Sequence, residues 1–144
     1  MTKTLTPAVD GWFTVDEQPA LIGNRCISCG TVFFPRVSIL CRNPDCNGAE
    51  FSDQRLSRRG TVWSYTDAQY EPPPPYVPRG EHRPFAIAAV ELAAEGLVVL
   101  GQVADGFGVS DLSVGMVVEL VVEELFSDED TTYLIWRWRP VTAP

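Results

Sequence analysis

The chain has 144 residues and a formal net charge of -8, from 11 Lys and Arg against 19 Asp and Glu. This length suits one compact domain, or a small domain with a metal-stapled appendage, and it allows a real hydrophobic core. The acidity argues against a nucleic-acid-binding protein, because such proteins carry a basic surplus that displaces counterions from phosphates.

No apolar run approaches the roughly 18 residues that cross a bilayer, and residues 1–10 lack the apolar stretch of a secretory signal. The sequence therefore predicts a cytoplasmic protein with no membrane partner. In that reducing compartment the four cysteines stay as thiols, which favours metal binding over disulfides.

Residues 1–20 are interpreted as a lead-in segment, with the aromatic pair Trp12 and Phe13 and a break at Pro19. Over Val9–Gln18 a weak apolar periodicity predicts a short helical segment of one or two turns.

Residues 21–50 hold all four cysteines and are predicted to form a zinc ribbon. The spacing is Cys26-x2-Cys29, then eleven residues, then Cys41-x4-Cys46. Two close pairs separated by a loop wrap a tetrahedral ion, because each tight turn supplies two sulfurs. Such sites take zinc or iron, and zinc is the commoner structural occupant. We therefore predict one structural Zn²⁺; four unrelated buried cysteines, or a thioredoxin-type redox pair, fit the spacing less well.

The loop between the cysteine pairs is more apolar than a small ribbon can bury. It contains Phe33, Phe34, Pro35, Val37, Ile39 and Leu40. We expect it to pack against the rest of the chain or against another protein.

Residues 51–144 are predicted to form a mainly β domain. Its strands are expected at Thr61–Ala68, Phe85–Leu92, Leu97–Ala104, Met116–Phe126 and Thr132–Val141. In the fourth strand Val118 and Leu120 share one face, and Glu119 and Glu123 share the other, which we interpret as solvated. Five half-buried strands in about eighty residues favour a five-stranded OB-type barrel, with an SH3-like barrel as the alternative.

The segment Glu71–Pro84 interrupts this pattern, since six of its fourteen residues are proline. Such a segment is stiff and extended. It is either a long surface loop or a preorganised arm that contacts a partner or ligand.

Four stretches in this order resemble the acyl-CoA-associated OB-fold proteins, once called domain of unknown function 35. They are RCISCGTVFFPR (25–36), RGTVWSYT (59–66), PFAIAAVEL (84–92) and DLSVGMVVEL (111–120). The second cysteine pair departs from the family pattern, because four residues rather than two separate its members.

The resemblance implies a rubredoxin-like zinc ribbon followed by an OB-fold barrel. It also implies a non-catalytic subunit that forms a hetero-oligomer with a thiolase-fold enzyme and shapes its acyl-CoA site. Such enzymes carry out Claisen or retro-Claisen thiolysis, or retro-aldol cleavage of steroid side-chain CoA esters. We expect partner or acyl-CoA contacts from Phe33, Phe34, Trp12, Tyr76, Arg79, His82 and Arg83.

Two other functions are weighed beside this one. A nucleic-acid-binding ribbon and OB module is physically sensible but disagrees with the acidity. A self-sufficient enzyme is disfavoured because the sequence offers no nucleophile and base pair; His82 and the arginines near it are better explained as solvated surface groups.

Overall fold

The computed structural model describes residues 4–9, 11–68 and 85–141. Their regular structure consists of β1 (Thr4–Pro7), β2 (Ile22–Cys26), β3 (Val32–Phe33), β4 (Phe51–Arg55), β5 (Arg59–Ala68), β6 (Phe85–Leu92), β7 (Leu97–Val103), a 3₁₀ turn (Val109–Asp111), β8 (Val117–Ser127) and β9 (Thr131–Pro140). No helix within these ranges is long and apolar enough to cross a membrane.

Strands β5 to β9 form a closed barrel. Their order is β9-β7-β6-β5-β8, and β8 pairs again with β9, so that the sheet returns to its starting strand. This is the five-stranded OB-type barrel expected from the sequence. All five predicted strands are confirmed, and their ends differ from the prediction by at most two residues.

The barrel core follows from the alternation of side chains along the strands. Val62, Val90, Val118, Leu120 and Trp138 are each less than 2% exposed and belong to one apolar cluster. Because successive side chains of a strand point to opposite faces, these residues line the interior while their neighbours face outward.

Two glycines allow close packing inside this barrel. A Cβ on Gly60 would lie 2.5 Å from the carbonyl oxygen of Glu91. A Cβ on Gly101 would lie 2.8 Å from the indole nitrogens of both Trp136 and Trp138. Neither space admits even a methyl group, which explains the lack of a side chain at both positions.

The outer face of β8 and β9 is charged but not freely solvated. Arg137 is 3% exposed and forms ion pairs with Asp105 (3.1 Å) and Glu123 (3.2 Å). The carboxylate of Glu119 lies between Arg139 and Arg59, and its Oε2 is 3.7 Å from Arg59 Nη2. The predicted solvated face is therefore wrong for Glu119 and Glu123, because arginines from the paired strands cover their carboxylates.

The predicted short helix in the lead-in segment is not found in residues 11–18. The chain instead folds back on itself: Thr14 N–H donates to the Ala20 carbonyl (2.9 Å), and Ile22 N–H donates to the Trp12 carbonyl (2.7 Å). Phe13 is 4% exposed. Pairing with the start of β2 satisfies these backbone groups and buries Phe13. A helix with weak apolar periodicity would bury less apolar surface, so the paired conformation is favoured.

The ribbon has its own sheet, with strand order β3-β2-β4. Its third strand, β4, extends to Arg55, past the boundary at residue 50 given by the sequence, and that boundary stays a prediction. After β4, Leu56 is buried, and its N–H donates to the Leu21 carbonyl (2.9 Å). Leu21, Val32 and Leu56 belong to the same apolar cluster as the barrel core.

The carboxylate of Glu119 should make stability depend on pH. The hydrogen bond from Arg139, and the positive charges of Arg139 and Arg59, lower the pKa of Glu119 below its ordinary value. A lowered folded-state pKa contributes stability above the unfolded-state pKa, and this is lost as pH falls through the folded-state pKa. Glu119→Gln should therefore lower the free energy of unfolding at pH 7 by about 1 kcal/mol.

The measurement is thermal unfolding of both proteins between pH 7 and pH 3. The difference in melting temperature should be about 3 °C at pH 7 and should shrink towards zero below about pH 4. Glu129→Gln is the control, since Glu129 is exposed and has no ion pair among the described residues. A difference that stays constant across this range would contradict the assignment.

Candidate metal centre and partner-binding surfaces

The first cysteine pair sits at the end of β2. Cys26 is the last residue of that strand, and the chain then turns so that Gly30 N–H donates to the Cys26 carbonyl (2.8 Å). Gly30 has φ +80°, a left-handed conformation that glycine adopts without steric cost. This turn directs Cys26 and Cys29 towards one point.

The second pair is held by hydrogen bonds from backbone amides. Asn43 N–H donates to Cys41 Sγ (3.4 Å), and Gly48 N–H donates to Cys46 Sγ (3.3 Å). Cys46 N–H donates to the Asn43 carbonyl (3.0 Å). The two extra residues of the C-x4-C spacing are accommodated within this turn, and the four predicted ligands are brought together.

The sulfur geometry fits a tetrahedral metal ion. Cys26 Sγ and Cys46 Sγ are 3.8 Å apart, Cys29 Sγ and Cys41 Sγ are 3.7 Å apart, and all four lie within 4.8 Å of one another. A regular tetrahedron with zinc–sulfur bonds of 2.3 Å has sulfur–sulfur edges of about 3.8 Å. The four thiolates would hold one Zn²⁺ as a closed structural site, which leaves no position for water or substrate.

The pKa values of the cysteine thiols differ widely across the site. Hydrogen bonding between Cys29 and Thr31 lowers the pKa of Cys29 to about 6, whereas burial raises the pKa of Cys41 to about 12. Four adjacent thiolates repel one another in the absence of a cation. Metal binding must therefore displace protons, and the bound ion then holds together sulfurs that would otherwise not all ionise.

Gly48 packs closely against the cysteine cluster. A Cβ at position 48 would lie 2.9 Å from Cys26 Sγ and 2.9 Å from Ser28 Oγ. Any side chain here would push the two cysteine turns apart. This contact joins residues that are 22 positions apart, so it is found only in the fold.

An asparagine that sequence reasoning missed holds the loop between the cysteine pairs. Asn24 is 5% exposed, its Nδ2 donates to the Val37 carbonyl (2.8 Å), and its Oδ1 accepts from Val37 N–H (3.2 Å). The side-chain amide thus pairs with one residue as a neighbouring strand would. A polar residue among the apolar positions of β2 was the only signal in the sequence.

Beyond Val37 the loop carries its apolar side chains outward. Ile39 is 82% exposed with φ +77°, and Leu40 is 58% exposed. A β-branched residue in this left-handed conformation costs roughly 1–2 kcal/mol. Ile27, in the first cysteine turn, is 61% exposed.

The predicted contact residues Trp12 and Phe34 lie at the junction between ribbon and barrel. Trp136 of β9 stacks on Trp12 (ring centroids 6.0 Å apart) and meets Phe34 edge-on (5.8 Å) and Phe13 edge-on (5.7 Å). Trp12 and Phe34 are also in edge-on contact at 5.4 Å. Both are half-buried, as is Phe33 in β3.

The predicted contacts Tyr76, Arg79, His82 and Arg83 lie outside the described residues.

The outer face of β5, β6 and β7 is apolar and exposed. Trp63 is 60%, Leu100 64%, Val98 45% and Tyr65 37% exposed. A groove of about 90 Å³ on this face is lined by Ser64, Tyr65, Thr66, Ile87, Ala89 and Leu100. It is well below the 300 Å³ or more of ordinary small-molecule sites.

Catalytic groups are sparse in the part of the chain that the structure describes. The closest approach to a nucleophile and base is Ser57 Oγ, which donates to Glu95 Oε2 (2.9 Å). Histidine, the usual base for a serine hydroxyl, occurs once in the chain, at His82. The Ser57–Glu95 hydrogen bond therefore joins two segments of the fold.

Freshly purified protein should contain close to one zinc per chain by elemental analysis, with four sulfur neighbours at about 2.3 Å in X-ray absorption. Cys46→Ser should lower the zinc content and unfold the ribbon, because the binding energy of such a site is folding energy. Gly48→Val should weaken zinc binding by steric contact with Cys26. Ser38→Ala, in the exposed loop between the cysteine pairs, is the control. A nitrogen or oxygen ligand in the unmodified protein would contradict the site.

Two family models match adjoining parts of the chain. The rubredoxin-like zinc ribbon domain of ChsH2 matches residues 15–52, and the C-terminal OB-fold domain of ChsH2 matches residues 53–123. The first of these agrees with the four clustered cysteines, so the metal centre is a zinc ribbon.

Similar proteins agree with this assignment. A DUF35 domain-containing scaffold protein of Methanocaldococcus jannaschii is 33% identical over 132 residues, which are 91% of this chain and 87% of that one. The benzoylsuccinyl-CoA thiolase subunit BbsA of Thauera aromatica is 45% identical over 49 residues, 34% of this chain and 32% of that one.

A solved structure supports the same relationship across both parts of the fold. It is described as the Ltp2-ChsH2(DUF35) aldolase, and it matches with a TM-score of 0.63 and 27% identity over 84% of each chain. The chain therefore belongs to the DUF35 family of ChsH2-type proteins, in which a rubredoxin-like zinc ribbon precedes an OB-fold domain.

Proposed function

We propose that this chain is a non-catalytic scaffold subunit that binds a thiolase-fold enzyme acting on CoA thioesters, stabilises it and helps to shape its acyl-CoA site. The observation that carries the proposal is the family match over nearly the whole chain, to a protein described as a scaffold. Relatives described as an aldolase complex and as a thiolase subunit point to the class of partner.

The site geometry supports a role without catalysis. Four sulfur ligands saturate a zinc ion, so the metal has no free position to activate water or a thioester. The groove on the outer face of the barrel is too small to enclose an acyl-CoA. Chemistry then belongs to the partner, and this subunit contributes contact area and shape.

The reaction of the complex is proposed at the level of its class. That class is cleavage of a carbon–carbon bond next to a CoA thioester: the name of the thiolase subunit supports thiolysis of a CoA ester, and the name of the aldolase supports a retro-aldol reaction as the alternative. Steroid side-chain CoA esters are one candidate substrate class. The segment with Tyr76, Arg79, His82 and Arg83 is proposed to contact the CoA thioester at the shared site. Reduced thiols and a zinc ribbon suit the proposed cytoplasmic location.

A nucleic-acid-binding role is the second candidate, because ribbons and OB barrels both occur in such proteins. An OB face that binds single strands combines aromatic side chains with a cationic groove. Here Trp63 and Tyr65 supply exposed aromatics, but the six groove-lining residues include no Lys or Arg. This composition disfavours the second candidate.

We expect no salt-sensitive binding of labelled single-stranded DNA or RNA up to tens of micromolar protein, as measured by fluorescence anisotropy at moderate salt. The reason is the excess of 19 acidic over 11 basic residues. Micromolar affinity for DNA or RNA that falls steeply with salt concentration would instead support the nucleic-acid-binding function.

The main test is co-expression with a thiolase-fold enzyme of the native host, sought first among the genes that neighbour the one for this chain. The two proteins should elute together in gel filtration, with an interface on the order of 2,000 Å² or more. The subunit alone should not turn over acyl-CoA esters, and the enzyme alone should be less soluble or less active. If the proteins elute apart and the enzyme is fully active without this chain, the scaffold function is wrong.

A further inference from the structure

The metal end of the ribbon exposes three large aliphatic side chains. Ile27, Ile39 and Leu40 are 61%, 82% and 58% exposed. Ile27 directly follows Cys26, and Leu40 directly precedes Cys41, so both are anchored to the sulfur cluster through a ligand. An apolar group fixed beside a rigid centre loses little conformational entropy when a partner covers it.

The loop that carries Ile39 and Leu40 is held in place although it is strained. The buried Asn24 amide makes two hydrogen bonds to Val37, two residues before Ile39. Ile39 then adopts φ +77°, a conformation that favours Gly, Asn or Asp over a β-branched residue. Strain that the surrounding structure maintains is typical of binding and clamping residues.

The charge around this end differs from that of the chain as a whole. Arg25, Arg42, Asp45 and Glu50 are exposed, and none of them has an ion-pair partner among the described residues. Arg36, nearby in the sequence, is already paired with Asp53 at 3.1 Å. In a chain of net charge -8, this balance of exposed charges near three exposed aliphatic side chains favours a partner surface with complementary charges, carboxylates among them, around an apolar recess.

We propose that this metal end is the docking surface for the thiolase-fold partner. Ile27, Ile39 and Leu40 enter an apolar recess of the enzyme, and Arg25 and Arg42 pair with carboxylates at its rim. Asn24 is a positioning residue, which holds the loop in its docking conformation. This inference rests on the proposed function and names its surface, which is distinct from the half-buried junction of Trp12 and Phe34.

The first experiment measures the affinity of the intact chain for the purified enzyme by surface plasmon resonance. Leu40→Asp and Ile39→Asn should each weaken binding at least tenfold, as expected for anchors near the centre of an interface. Val114→Asn is the matched control, since Val114 is 69% exposed on the barrel side of the molecule. It should bind as the unmodified chain does.

Ile39→Asn separates docking from folding. Asparagine tolerates the left-handed conformation, so this variant should unfold at the same temperature as the unmodified protein or higher, with unchanged zinc content. Loss of affinity without loss of stability is the expected signature of a docking residue. A variant that loses both would show that Ile39 serves the ribbon itself, and this would overturn the proposal.

The positioning role of Asn24 has its own readout. Asn24→Asp keeps the size of the side chain but removes the donor to the Val37 carbonyl. We expect faster hydrogen exchange at Val37, Ile39 and Leu40, near-normal zinc content, and a lower association rate with the enzyme. An unchanged rate of hydrogen exchange in the loop, or an unchanged association rate with the enzyme, would overturn the positioning role of Asn24.

The outcomes separate the surface from the proposed function. If the unmodified chain binds the enzyme and Leu40→Asp binds equally well, the scaffold function stands and the docking surface is wrong. If the unmodified chain does not bind the enzyme, both are wrong. If the chain alone forms dimers by light scattering, and Ile39→Asn abolishes them, the occupant is a second copy and the proposed partner surface is overturned.

Discussion

The packing of Trp136 against Trp12, Phe13 and Phe34 is the constraint on which the relation between ribbon and barrel depends. One indole from β9 contacts the lead-in segment and the loop after β3 at the same time, and its Nε1 donates to the Leu100 carbonyl (3.2 Å). Aromatic pairs add energy beyond the area they bury and restrict orientation. The barrel therefore fixes the direction of the ribbon, and the zinc ion fixes the shape of its far end.

These two fixed points suit a scaffold. The tetrathiolate centre is chemically closed, so its contribution is rigidity, supplied by four cysteines. The barrel contributes a core that continues into the ribbon through Leu21, Val32 and Leu56. A subunit built in this way presents surfaces in a constant arrangement, which lowers the entropy cost when a partner binds.

Much of this architecture could be predicted from the sequence, because the strand signals and cysteine spacing are local. Val118 and Leu120 alternate with Glu119 strictly enough to specify β8, and the cysteine pairs specify a metal. The rest depends on contacts between distant segments. Arg137 is buried because Asp105 and Glu123 reach it from other elements, and Asn24 matters because Val37 folds onto it. The false helix over Val9–Gln18 has the same origin, since pairing with Ala20 and Ile22 outweighs weak local periodicity.

The short strand β1 carries a practical consequence for handling the protein. It runs parallel to β9 and pairs Thr4 through Pro7 with Thr131 through Leu134, while β7 reaches only Arg137 and Trp138 on that strand. β1 thus caps an edge that would otherwise offer free backbone amides and carbonyls to a neighbouring molecule. Proteolytic removal of the first eight residues, or a bulky fusion that displaces them, would leave this edge of β9 unpaired and prone to edge-to-edge aggregation.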